Sequence, residues 1–507
     1  MLALVLGAFS AAAAAQVTAP PEAAPADDKA PPRAWTITPR VTVGATFTDN
    51  ALLRDSDKRA DLITEISPGL RISGESARLK AFADYSRREL FYARESDRKN
   101  SQNTLNAFGT FKAIDNLFYV DFSAGISQQA ISAFGTQSSG VALNNDNETE
   151  ARSLRVSPYF KGNFGGLANY ELRYSATAMR TAEQTASSMD QREWRAHVDG
   201  ATPYARILWA VDAARQTYDY DRGRKTESRN AKLSLSYLLD TTLKFTVMGG
   251  REENNFISLD SESHTTRGFG LEWTPTTRTR LALEREKRFF GNSHRFSFTH
   301  RMPRAALSYA DTRSVAATPN NLAGESVSNI YDLLFNQFAS LEPDPAQRHI
   351  LVMNFLDANN LAPNSQINSG FLNSGPTVSR QQSLSLALLG ARNTLTLTAT
   401  QGTTQRLGLL TSAGEDLAGT SSLRQRGISL NLSHRLSPLS NINLQASRQS
   451  SDGAGGLSTT TRNLNATYAH KLGPQTSMTL GLRRVIFDNQ TVPYTETALT
   501  GTLRMQF

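Results

Sequence analysis

Charged side chains recur at every second position along several stretches of the sequence, with apolar residues between them. Arg280, Glu284, Glu286 and Arg288 alternate with Leu281 and Leu283, and Arg78, Lys80 and Asp84 with Leu79 and Ala81. Glu171 and Arg173 lie between Tyr170, Leu172 and Tyr174, and Glu193, Arg195, His197 and Asp199 flank Trp194 and Val198. Gathered on one wall, such rows could guide an anionic or hydroxyl-rich solute through bidentate arginine contacts. They could equally pair with one another and keep that wall rigid. The residues that would point to an enzyme do not assemble. Seven histidines, His197, His264, His294, His300, His349, His434 and His470, show no metal-ligand spacing and no hydrolase motif. A chance Ser/His dyad on a serine-rich strand is the one enzymatic alternative. No glycine loop is spaced to cradle phosphate. We expect no catalytic residue, no metal, no cofactor and no enzymatic activity.

The alternation itself implies the elements that must carry these rows. Leu384, Leu386 and Leu388, then Leu395, Leu397 and Ala399, Ile428, Leu430 and Leu432, Ile442, Leu444 and Ala446, Leu464, Ala466 and Tyr468, and Met478, Leu480 and Leu482 each alternate with Ser, Thr, Asn or Gln. Period two means strands with one apolar and one polar face. A soluble sandwich shows the same period with its apolar face turned inward. Here the strands are long and turn signals alternate with polar loops. Short turns are expected at 73–76, 113–116, 163–166, 201–203, 239–241, 274–277, 437–440 and 472–475, where Gly, Pro, Asp and Asn supply the geometry. Long loops are expected at 49–61, 130–150 and 408–422. Aromatic pairs near strand ends, Phe91 with Tyr92, Phe118 with Tyr119, Tyr159 with Phe160, Tyr218 with Tyr220 and Phe289 with Phe290, suit a membrane interface or ordinary cross-strand packing. The reading is an all-β fold, a transmembrane antiparallel up-and-down β-barrel of about 22 strands, with short turns at the periplasmic rim and long loops outside.

Composition agrees. Only 39% of residues are hydrophobic, and mean hydropathy is −0.39. Beyond the N-terminus no run of about 18 apolar residues could form a membrane-spanning helix. A barrel crosses with such a composition, because only alternate residues meet lipid and closure pairs every backbone group. Residues 1–15 read as a signal peptide, with an apolar stretch ending in Ala-x-Ala near Gln16. No Lys or Arg precedes it, which points to an atypical signal or a start further upstream. Residues 16–34, with Pro20, Pro21, Pro25, Pro31 and Pro32, read as a disordered Ala/Pro-rich periplasmic tail, and residues 35–507 as the barrel. Cysteine is absent, which excludes disulfides and thiolate metal sites. The net charge of +8 is spread over the strands, not gathered in a stripe. That distribution argues against nucleic acid and for arginines facing the lumen and lipopolysaccharide.

Residues 314–377 break the rhythm as an insertion, an extracellular loop or a lumen plug. Asp344 and Pro345 read as an N-cap and first helical residue, followed by Ile350, Met353 and Leu356 on one helical face. Ile330, Leu333, Leu334 and Phe338 have the same spacing. The segment is either a lid or a decoration without gating role.

Two resemblances complete the reading. Leu499, Leu503, Met505 and Phe507 share one face of the last strand, and Leu503, Met505 and Phe507 resemble the assembly signal recognised by the barrel assembly machinery, with Met505 where a second aromatic is common. Thr48-Asp49-Asn50 followed by Ile66-Ser67-Pro68-Gly69 resembles the β-barrel porin family associated with the PEP-CTERM/exosortase system, as does the Asp344-Pro345 helix within a late insertion. The resemblance covers most of the chain after the tail. It implies an outer-membrane protein of a Gram-negative bacterium, found alongside exopolysaccharide biosynthesis, with no catalytic residues to carry over. The expected function is export of an exopolysaccharide or related envelope polymer. A general diffusion porin and a barrel sheathing a partner protein are the alternatives. The expected partners are outer-membrane lipid and lipopolysaccharide, the assembly machinery and a polysaccharide substrate, and no nucleic acid.

Overall fold

The computed structural model describes residues 35–95, 100–138, 145–182, 188–204, 206–317, 375–408 and 416–507, together with Phe335, Phe338, Arg348, Val352, Leu356 and Phe371. The expected signal peptide and tail lie outside the described residues. So do most of the two expected helical segments, of which Phe335, Phe338, Arg348, Val352 and Leu356 are helical.

Strands make up nearly everything else. The first eight are β1 (Trp35–Thr48), β2 (Asp61–Glu75), β3 (Leu79–Tyr92), β4 (Asn100–Ile114), β5 (Phe118–Ala130), β6 (Glu148–Phe164), β7 (Ala168–Thr181) and β8 (Met189–Ala201). Then come β9 (Ile207–Tyr220), β10 (Thr226–Leu238), β11 (Leu243–Asn254), β12 (Glu262–Thr276), β13 (Thr279–Arg288), β14 (Gly291–Met302) and β15 (Ala305–Ala316). After the insertion follow β16 (Thr377–Leu389), β17 (Asn393–Arg406), β18 (Ser422–Ser437), β19 (Ser440–Gly453), β20 (Ser458–Lys471), β21 (Thr476–Asn489) and β22 (Tyr494–Gln506). Each pairs antiparallel with the next, and β22 pairs with β1 from Arg40↔Gln506 to Thr48↔Ala498. The sheet therefore closes on itself as a 22-stranded barrel. Closure removes both edges and satisfies the backbone, which a membrane-spanning sheet requires.

The apolar residues of period two form the outer band. At the closing seam Val43 opposes Leu503 and Phe47 opposes Leu499, all turned outward. Their alternates, Thr46, Thr48, Glu496 and Ala498, are buried on the inner face. Strands run from 10 residues (β13) to 17 (β6), whereas about 9–11 tilted residues suffice to cross a bilayer. The walls therefore extend beyond the apolar band on the side of the long loops.

One rim carries short turns, such as 76–78, 115–117, 165–167 and 438–439; the other carries the loops 49–60, 131–147 and 407–421. Asn116 (φ 60°), Gly165 and Gly166 adopt the left-handed conformation that such tight turns use. Strands reach further into the expected turns than their composition suggests: β2 continues to Glu75 and β12 to Thr276. The rim rule is not strict, since on the loop-bearing side β13 and β14 are joined by only Phe289 and Phe290, and the connections 454–457 and 490–493 are also short. The wall also claims both ends of the expected 314–377 insertion, because Ser314, Val315 and Ala316 pair with Ser379, Val378 and Thr377.

The aromatic pairs need correcting. Adjacent residues of a strand point to opposite faces, so only one ring of each adjacent pair can meet lipid. Phe91, Phe118 and Phe160 face outward, while Tyr92, Tyr119 and Tyr159 are buried on the inner face. Tyr218 and Tyr220 both turn inward and are buried.

Candidate functional site

Most of the charged rows line the inner wall. Lys80 and Asp84 on β3, Glu171 and Arg173 on β7, Glu193 and Arg195 on β8, and Arg280, Glu284 and Arg288 on β13 occupy the face opposite the exposed apolar band. Arg78 differs, lying exposed in the turn before β3 at the short-turn rim. The inner face is identified by side chains that reach past neighbouring strands, which the concave side of a barrel favours. Arg173 donates to Asp121 on β5 at 2.7 Å and to Glu171 at 2.9 Å, and its guanidinium lies 3.8 Å from the ring centre of Tyr159. Tyr159 stacks on Tyr119, which Lys161 covers from 4.4 Å. Lys232 on β10 meets Glu284 on β13 at 3.3 Å, Arg288 binds Glu252 at 2.6 Å, and Arg195 holds Glu193 at 2.7 Å. Lys80 pairs with Glu75 at the rim. Most of the row residues thus brace the wall. Arg195 and Arg280 also keep half or more of their side chains open, 50% and 64%, so these two can still meet a solute.

Gly69, from the Ile66-Ser67-Pro68-Gly69 run, has an evident role. Pro68 has no N–H to give, and Ser67 and Pro68 drop out of the pairing with β3 while facing residues on either side stay in register. Gly69 sits opposite Arg40, and a β-carbon there would lie 2.9 Å from both Arg40 Nε and the carbonyl oxygen of Tyr85. Glycine therefore clears a path along which Arg40 crosses β2 to reach Asp84. Arg71 Nε donates to the same carboxylate at 2.8 Å.

Above this wall, on the side of the long loops, the inner face becomes apolar. Ile63, Leu90, Tyr92, Val485, Phe487 and Tyr494 pack together with Leu53 of the first loop. Leu53 is pulled in by the Thr48-Asp49-Asn50 run. Asn50 Nδ2 donates to the carbonyls of Arg54 and Thr495 at 2.7 and 2.9 Å, its Oδ1 accepts from Arg54 N at 3.0 Å, and Leu53 is held at φ 52°. A non-glycine residue at positive φ costs energy and persists where surrounding contacts impose it. Thr48 donates to Glu496 at 3.0 Å, and Arg483 grips the same carboxylate at 2.7 Å.

Longer loops tie the mouth across chords of the barrel. From the β5–β6 loop, Ser132 Oγ and Ala133 N each donate to Asp416 at 2.6 Å, in a helical turn (Asp416–Gly419) before β18. Burial pushes the Asp416 carboxyl above its ordinary range, outweighing those two donors. Asn489 donates to the carbonyl of Phe134 at 2.7 Å, Thr459 donates to that of Ala133 at 3.4 Å, and Tyr494 donates to that of Gln137. Phe371, from the insertion, packs with Phe134 beside Ala133, Leu417 and Leu423. Elsewhere Tyr220 donates to the carbonyl of Ala317. Gly408 (φ 80°) lies close enough to the β11–β12 loop that a β-carbon would sit 3.2 Å from the carbonyl oxygen of Phe256.

No protein-family model matches the chain. No curated protein matches it in sequence. Solved structures do match. The FrpB iron transporter of Neisseria meningitidis (F5-1 variant) aligns in its apoprotein form with TM-score 0.51 and 9% identity, over 94% of this chain and 81% of that one. A second structure of the same variant gives 0.50 and 9%, over 92% and 82%. The siderophore receptor PirA from Pseudomonas aeruginosa gives 0.45 and 10%, over 93% and 80%. The likeness is one of fold. This chain is a large β-barrel of the outer-membrane type.

The sequence rows pointed to the wall and missed the mouth. Glu496, Arg483, Asp416, Phe134 and Tyr494 were not singled out. One signal was available: apolar residues change phase near the loop-side ends. Leu480 and Leu482 are even-numbered and outward, Val485 and Phe487 odd-numbered and inward. Among the described residues, no cluster of His, Asp or Glu is arranged to hold a metal ion.

Proposed function

We propose that the protein is a gated transport channel in the outer membrane of a Gram-negative bacterium, carrying an exopolysaccharide or related envelope polymer. The observation that carries the gated-channel reading is the tied mouth. Its loops are fastened by separable side-chain contacts such as Ser132 and Ala133 on Asp416, which can open without unfolding the wall. The polymer reading is supported by the resemblance in Thr48-Asp49-Asn50 and Ile66-Ser67-Pro68-Gly69, and by an inner face of paired charges and hydroxyls with Arg195 and Arg280 still open. Guanidinium groups suit hydroxyl-rich and anionic sugars through paired donors. Assembly through outward-facing Leu503, Met505 and Phe507 belongs to the same proposal. Loss of the gene is expected to strip the cell surface of the polymer, with restoration by the wild-type copy. Unchanged surface polysaccharide together with liposome swelling in small sugars would favour a general diffusion porin instead.

A further inference from the structure

The outer face carries arginines just beyond the apolar band on the loop-bearing side, and four of them occupy adjacent strands. Arg426 lies beyond Ile428 on β18, Arg448 beyond Ala446 on β19, Arg462 beyond Leu464 on β20 and Arg484 beyond Leu482 on β21. All four are exposed. Arg448 and Arg462 stand directly opposite each other in the ladder, an arrangement of like charges that costs stability. At two other places the barrel neutralises such pairs itself, whereas Arg267 and Lys287, also directly opposed, have no carboxylate contact among the described residues. Arg215 and Arg229 are also directly opposed, and Glu227 sits between them at 2.7 Å from each. Arg152 and Arg180 have Glu150 and Asp190 at 2.7 and 2.8 Å. Among the described residues, the only carboxylate contact to these four is the loose one between Arg462 and Asp488, at 3.5 Å and largely solvated.

We propose that this sector binds the phosphate groups of a phosphorylated glycolipid in the outer leaflet. The chemistry is complementary: guanidinium forks match phosphate oxygens bidentately. The apolar residues beneath would receive the acyl chains. Strands lie about 4.8 Å apart, so the four arginines span roughly 14 Å, wide enough for a headgroup with more than one phosphate. The site is independent of what the lumen carries. The test is native mass spectrometry of the detergent-folded barrel with lipid A, dephosphorylated lipid A or phosphatidylglycerol. Wild type is expected to retain lipid A about tenfold better than either other lipid. R448Q/R462Q and, separately, R426Q/R484Q are expected to lose that preference, while R215Q/R229Q keeps it. Heat-modifiable migration confirms that each variant is folded, and if one double variant fails to fold the other decides. Equal retention of phosphatidylglycerol, or lipid A retained undiminished by a folded β18–β21 variant, would overturn the proposal.

Discussion

Glu496 is 1% exposed and is clasped by Arg483 and Thr48. A buried pair of this kind is costly to break from one side, because the remaining charge is stranded. E496A should therefore lower unfolding stability by about 3–5 kcal/mol, whereas the double substitution R483M/E496L should cost far less. Urea titration followed by tryptophan fluorescence separates the two outcomes. At Gly69 any β-carbon meets Arg40 and the Tyr85 carbonyl, so G69V should destabilise the barrel by about 1–3 kcal/mol and release Arg40 from Asp84. Much at this scale was legible. Glu171, Arg173, Glu193 and Arg288 were placed inside by alternation alone. Their partners on other strands were not, since Asp121 and Glu252 lie two strands away and period two says nothing about which charges meet across the wall. Arg78 was misplaced because a strand phase was extended into a turn.

Elements show the same division. The 22 strands and both rims follow from alternation and turn residues. The loops do not, because a polar loop that folds inward has the same composition as one that stays in water. The β5–β6 loop is the clearest case, with Asp416 as its anchor. The docked state binds a proton at Asp416 more tightly than an undocked one, since burial raises the carboxyl's pKa. Docking is thus strongest below the ordinary aspartate range and weakens as pH rises through the raised value. Protection of 131–138 against hydrogen exchange, taken relative to the intrinsic exchange rate at each pH, should rise on acidification through the raised value. D416N should hold the loop docked with a protection independent of pH; relative protection that falls at low pH in the wild type would contradict this.

At the scale of the whole molecule, the barrel has two regimes. Through the bilayer its apolar side faces out and its charges face in. Beyond the bilayer the order inverts: arginines face out, and Tyr92, Phe487 and Tyr494 close in on one another. The strands are longer than a membrane needs, and the excess builds the mouth. Outward Phe507, whose N–H donates to the Pro39 carbonyl at 2.9 Å, belongs to the sealing seam. Its removal should reduce the amount of heat-modifiable barrel in cells more than the conductance of whatever barrel does insert. Planar-bilayer conductance tests the tied mouth most directly. Wild-type protein is expected to give small or infrequent openings, and F134G/D416A, which frees the β5–β6 loop, large and sustained ones. Identical conductance in the two proteins would contradict the account.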